Sequence, residues 1–237
     1  MRPPTQTECY YRQHLQEGRP LTTRRSRAAD SYHHGNLRQA LLDHAVDLAR
    51  TGGPDAVVLR DVQRLAGVSN SAAYRHYSDR GALLAAVTEY AEARLADAMV
   101  ARLNAVPAKG PRDKRAIARF RATGQGYIDF ALAEPGLFRT AFAHIDAADT
   151  AHARPPDSAK DEVSEHHPFQ ILIRSIDDLV ATGVLSRGRR DGLDEAAWAA
   201  VHGLSTLFLD GPLSQVDAAR KNLITERLLD VIAVGLR

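Results

Sequence analysis

Apolar residues recur at intervals of three and four along most of the chain, the period of a helix with one buried face. The first such stripe is Leu37, Leu41, Leu42, Ala45, Leu48 and Ala49. It starts near Asn36, which stands with Gln39 at capping-box spacing, and stops at Gly52-Gly53-Pro54. A shorter stripe runs through Leu59, Val62, Leu65 and Ala66 and breaks at Gly67. After Val68, the N-cap residue type Ser69 predicts a short helix over 70–77. Residues 82 to about 106 read as one long helix, with Leu83, Leu84, Val87, Tyr90, Ala91, Leu95 and Met99 on its apolar face. Further helices are predicted over 112–133, 137–144, 168 to about 182, 193–209 and 214–236. The fold class is therefore all-α, with about nine helices.

Two stretches carry no stripe. Residues 1–30 are polar, with Pro3, Pro4, Gly18 and Pro20, and read as a disordered tail. Residues 146–166 contain Pro155-Pro156 and read as a long loop, a candidate cover for a pocket mouth. The domain reading is a tail over 1–30, a helix-turn-helix domain over 31–81 and a larger helical domain over 82–237. Gly124 and Gly126 lie inside the helix over 112–133. They mark a kink, a space beside a ligand, or a tight contact between helices.

A helix, a glycine-containing turn and a second short helix form the helix-turn-helix unit. Its second helix enters a DNA major groove. Over 70–77, Ala73 and Tyr77 share an inward face, while Asn70, Ser71, Ala72 and Arg75 point outward. Asn pairs with adenine, Arg with guanine, and a small Ala can touch a thymine methyl. Tyr74, His76 and Arg80 suit phosphate contacts, which position a protein without reading sequence. A plain helical hairpin with a polar outer face would share this spacing.

Gly67-Val68-Ser69, Tyr74-Arg75-His76-Tyr77, a polar pair, Arg80 and Leu83-Leu84 resemble the DNA-binding domain of the TetR family of transcriptional repressors, most strongly over residues 36–90. The resemblance implies an all-helical homodimer with a ligand-sensing C-terminal domain. By position it makes Arg60, Asn70, Ser71, Ala72, Tyr74 and Arg75 base-facing or groove-edge residues, and Ser69, His76 and Arg80 phosphate contacts. Val58 stands where a capping Thr or Ser is common, Gln63 where a small residue packs between helices, and Arg80 where Lys is usual. The string Trp198-x-x-x-His202-Gly203 is similar to the C-terminal domain of a TetR subgroup named for those residues.

Composition is that of a globular protein: 237 residues, 44% apolar and 25% charged. One cysteine, Cys9, allows no internal disulfide, which fits a reducing cytoplasm. No apolar run reaches the ~20 residues of a membrane span, and the N-terminus lacks a signal-peptide core. The first 80 residues carry 12 Arg against 8 acids, and the rest 19 Lys plus Arg against 21 acids. The basic end coincides with the DNA reader. Arg24, Arg25 and Arg27 could follow phosphates or enter a minor groove, or simply be solvated. Adjacent His33 and His34 suit hydrogen bonding near a helix cap better than a metal. His144, His152, His166 and His167 show no metal-ligand spacing. No metal or cofactor is expected. Arg187, Arg189 and Arg190 read as a solvated loop cluster.

The pocket candidates in the larger domain are Phe120, Tyr127, Phe138, Phe142, Phe169, Ile173, Trp198 and His202, which suggest a largely hydrophobic effector. The same residues would make an ordinary core. The last two helices either pair with the same two of a second copy, giving a four-helix two-fold interface, or close their own core. Gly203 would permit a close helix approach. An enzyme reading has Asp129, Glu134, Asp146, Asp177 and Asp178 as candidate acids, but there is no nucleophile elbow, phosphate loop or spaced metal quartet. The leading expectation is a repressor that binds a palindromic operator as a homodimer and is released by a small molecule.

Overall fold

The breaks read in the sequence do separate helices. The computed structural model of the chain describes residues 37–143 and 166–235. Among them are nine α-helices, two short 3-10 turns and no strand, so the fold is all-α. The tail over 1–30, His33, His34, Asn36, Asp146 and nearly all of the loop over 146–166 lie outside the described residues.

α1 (Leu37–Gly52) buries Leu41, Ala45, Val46 and Ala49. Gly53 ends it at φ 69°, and a 3-10 turn (Pro54–Ala56) follows. α2 (Leu59–Ala66) buries Leu59, Val62 and Gln63. Leu65, expected on its inward stripe, is instead 47% exposed. The reason is angular: six residues beyond Leu59, at about 100° per residue, Leu65 sits about 120° off the buried face, where Gln63 and Ala66 fall close to it. Gly67 takes the left-handed conformation, φ 67° and ψ 28°, and the Val68 N–H donates to the Gln63 carbonyl in a Schellman-type close.

α3 (Asn70–Tyr74) is shorter than the predicted 70–77, but the winding continues, with the Tyr77 N–H donating to the Ala73 carbonyl at 3.0 Å. α4 (Arg80–Asn104) starts two residues earlier than predicted. Its N-cap is Asp79, whose Oδ1 accepts from the Ala82 N–H at 2.8 Å. That bond, helped by the Ser78 hydroxyl, holds the Asp79 carboxyl below the usual carboxylate range. The domain boundary expected at residue 81 falls in this first helical turn.

α5 (Arg112–Ala133) matches its predicted span and is the central helix, packed against α4 and, later in the chain, α6 (Pro135–Ala141), α7 (Pro168–Ala181), α8 (Leu193–Leu209) and α9 (Ala218–Gly235). α6 starts and ends earlier than expected because Pro135 opens it at the first helical position. α9 starts at Ala218 rather than Ser214. The glycines of α5 mark tight contacts. A Cβ on Gly126 would lie 2.7 Å from Met99 Cα and 2.8 Å from the Ala98 carbonyl oxygen of α4. One on Gly124 would lie 2.7 Å from Leu229 Cδ2 of α9. Gly203 behaves differently: it is exposed, and among the described residues nothing beyond its chain neighbours and its own helix backbone lies within 4 Å of a Cβ there.

The arginines after α7 are not simply solvated. Arg190 bridges Asp177 and Asp194, each at 3.0 Å, and Arg189 donates to the Gly235 carbonyl. Arg187 stays exposed on the second 3-10 turn (Arg187–Arg189).

Gly126→Ala separates two effects of opposite sign. Alanine adds up to ~1 kcal/mol of helix propensity, while overpacking costs about 1–3 kcal/mol. The atoms in the way are backbone and cannot rotate aside, so the second effect wins. The expected outcome is a lower urea midpoint, and a raised midpoint would contradict the α4–α5 crossing.

Candidate nucleic-acid interface and effector domain

The outer face of α3 is built from below. Ala73 is fully buried and Tyr77 is 2% exposed, which fixes the helix on the body of the domain. The Tyr77 hydroxyl donates to the Arg38 carbonyl at 3.3 Å, and the Arg38 guanidinium lies over the ring at 5.4 Å from its centroid. Burial pushes the Tyr77 phenol up from its ordinary value. With that side anchored, Asn70, Ser71 and Arg75 are exposed, Tyr74 is half-exposed and Ala72 partly buried. Arg60 and His76 are exposed beside them.

Ser69 caps α3: its Oγ accepts from the Ala72 N–H at 3.4 Å and meets Ser71 Oγ at 3.2 Å. Val58, in the same position before α2, makes no side-chain cap. Arg80 turns inward. Its Nε donates to the Val57 carbonyl at 2.9 Å and its Nη2 to the Pro54 carbonyl at 2.7 Å. These bonds pin the start of α4 to the turn between α1 and α2, leaving Nη1 as the group available to a phosphate. The sequence reading missed Arg38 over Tyr77 and the Asp79 cap. The Asp79–Ala82 spacing was the available signal for the cap.

In the larger domain the structure brings together six of the eight pocket candidates. Trp198 Nε1 donates to Tyr127 Oη at 3.2 Å, and Tyr127 Oη lies 2.8 Å from His202 Nδ1. An indole can only donate. The Tyr127 oxygen therefore accepts from Trp198, and a second hydrogen bond joins it to His202 Nδ1, its direction set by the imidazole tautomer. Phe142 and Phe138 stack around this imidazole at 4.8 and 5.5 Å between centroids, and Phe169 meets Trp198 at 6.1 Å. Phe120 sits apart, in a second apolar cluster with Leu172, Ile176 and Leu179 that Trp198 also touches. Ile173 is partly buried and belongs to neither group. Burial lowers the His202 pKa and raises that of Tyr127.

Residues 41–87 match the family model for bacterial regulatory proteins of the TetR family, and residues 120–232 match that for the tetracyclin repressor-like C-terminal domain. The chain belongs to the TetR family. It is a helix-turn-helix DNA-binding transcription regulator, and among the described residues no helix is long and apolar enough to cross a membrane. Of solved structures, a protein of unknown function from Rhodococcus sp. RHA1 is 26% identical, with a TM-score of 0.65 over 87% of this chain and 98% of that one. A protein from Shewanella sp. PV-4 assigned to the TetR family is 20% identical, with a TM-score of 0.53 over 81% and 95%. The latter likeness is one of fold. No curated protein matches this TetR-family chain.

The half-buried imidazole of His202 gives a pH dependence with a definite sign. A His whose pKa is lowered by folding takes up its proton more readily in the unfolded chain, so stability is lost as pH falls below the ordinary His value of about 6.5. His202 and His167 both contribute, each through burial. The urea midpoint is expected to fall between about pH 7.5 and 5.5, and His202→Gln to flatten part of that slope. An unchanged slope in the variant would contradict a His202 pKa lowered by folding.

Proposed function

We propose that this TetR-family regulator is a repressor that binds a palindromic operator as a homodimer and lets go when a small molecule occupies its larger domain. The observation that carries the reading is the two-sidedness of α3. Ala73 and Tyr77 are buried, while Asn70, Ser71 and Arg75 are exposed on the opposite side. Asn70 and Arg75 can each make paired hydrogen bonds to a base edge. Arg60, Ala72 and Tyr74 border the groove, and Ser69, His76 and the free donors of Arg80 hold phosphates. Residues 31–81 form the DNA-binding part, and residues 82–237 the effector and dimerisation part. As a DNA-binding protein of a bacterial family, it acts in the cytoplasm beside its operator.

The second copy joins through α8 and α9. Leu207, Leu223 and Val231 are 41%, 46% and 70% exposed in the single chain, and exposed Gly203 allows a close approach on the same helix pair. Two readers placed this way address half-sites ~34–36 Å apart or a multiple of that. The protein is a binder rather than an enzyme: Asp129, Glu134, Asp177 and Asp178 are held in ion pairs with Arg102, Arg50, Arg190 and Arg119.

Fluorescence anisotropy with the protein's own promoter DNA against random DNA tests the reading at moderate salt. Preference for the promoter is expected, and Arg75→Ala should cost about 1–3 kcal/mol at its base pair and relax sequence preference there. Equal affinity for both DNAs would overturn operator binding. For the dimer, Leu223→Glu with Val231→Glu should shift sedimentation from two copies to one and weaken promoter binding. Single molecules at every concentration of the unaltered protein would overturn the dimer.

A further inference from the structure

Arg38 stands in the first turn of α1 and is exposed. Tyr77 meets this residue twice. Its hydroxyl donates to the Arg38 carbonyl at 3.3 Å, and its ring lies under the Arg38 guanidinium, whose central carbon is 5.4 Å from the ring centroid. Tyr77 is only 2% exposed, so the ring is a fixed platform. A guanidinium over an aromatic face is held by the charge distribution of the ring. That attraction uses none of its N–H donors. Even with one N–H turned to the phenol oxygen, most of the five-donor fork is left over.

Other arginines at this end of the molecule are spent differently. Arg80 gives Nε and Nη2 to the carbonyls of Val57 and Pro54. Arg64 lies 3.5 Å from Asp61, and Arg50 is held by Asp47 and Glu134. Asp43 and Glu89 are near enough to act on the Tyr77 phenol through space. Asp43, however, accepts from Gln39 at 2.8 Å, and among the described residues no carboxylate forms an ion pair with Arg38. Position decides what the fork can reach. Tyr77 follows Arg75 by two residues and His76 by one, and both of those are exposed. Arg38 therefore borders the face that carries Asn70 and Arg75, on its flank rather than among the base-facing side chains. Contacts on the flank of a groove go to phosphates, and a planar fork matches a phosphate with two parallel N–H···O bonds.

We propose that Arg38 is a phosphate-binding residue of the DNA interface, held by Tyr77 for a backbone phosphate beside the groove that α3 enters. The contact set then extends beyond the helix-turn-helix unit to α1. Holding the side chain in place beforehand lowers the ordering cost of the contact. Such a contact rests on the reading that α3 faces DNA, and not on the operator's symmetry or on an effector.

Fluorescence anisotropy of the full chain on promoter and random duplexes, from about 50 to 200 mM salt, tests the proposal. Arg38→Gln is expected to weaken both DNAs by the same factor, about tenfold at ~50 mM salt, and to lower the slope of log affinity against log salt by about one. Arg38→Lys keeps the charge and should keep the slope. Arg187→Gln, on the exposed second 3-10 turn, should change neither. A merely structural cover over Tyr77 would lower the urea midpoint and leave the salt slope of the folded protein alone. An unchanged slope in folded Arg38→Gln would overturn the proposal, as would a loss confined to promoter DNA, the mark of a base contact. If that variant does not fold, butanedione labelling of Arg38 in the unaltered chain decides, read by mass spectrometry. Labelling slowed by saturating random DNA supports the contact, and unchanged labelling overturns it. Equal affinity for the two DNAs with a reduced slope in Arg38→Gln sinks the operator reading alone. Promoter preference with an unchanged slope sinks this inference alone.

Discussion

A five-residue helix cannot hold itself in water, since nucleating a helix costs more than one turn returns. α3 therefore depends on what lies beneath it, the burial of Ala73 and Tyr77 against the rest of the domain. Tyr77 fixes the helix in position and in rotation, because its hydroxyl reaches the Arg38 carbonyl of α1 while Arg38 covers its ring. The two flanks are fixed as well. Gly67 supplies the left-handed turn on one side. On the other, Asp79 caps α4 and Arg80 ties its start to the carbonyls of Pro54 and Val57. The outward direction of Asn70 and Arg75 follows from these contacts.

The same packing joins the DNA-binding end to the larger domain. α6 lies so close to the end of α1 that a Cβ on Gly136 would come within 2.2 Å of the Ala49 carbonyl oxygen. Arg50, at that end of α1, reaches Glu134 and Tyr90. Phe138, two residues beyond Gly136, belongs to the ring cluster around His202. A run of direct contacts thus connects α1 with the centre of the larger domain through α6. It runs beside α4, whose 25 residues extend for roughly 37 Å.

Much of this was legible in the residues, for identifiable reasons. The spans of α5 and α8 were readable because glycine or proline punctuates both ends of long apolar stripes. The inward pair Ala73 and Tyr77 was readable because four residues make one helical turn. Leu65 misled because an eight-residue helix is too short for its stripe to define a direction, and the buried place went to the polar Gln63. α3 was overextended because a helix end set by turn hydrogen bonds has no apolar signal. Arg80 looked like a surface phosphate contact, and only the fold shows two carbonyls within its reach. Gly124 and Gly126 left three readings open, which depend on what crosses them.

The central claim is that α3, held from below, presents its other side to DNA. Amide hydrogen exchange on the full chain, with and without its promoter DNA, addresses that surface without altering a residue. The account predicts slower exchange over residues 69–77 when the DNA is present, with the central helix over 112–133 unchanged. Unaltered exchange over 69–77 in a protein saturated with that DNA would contradict it.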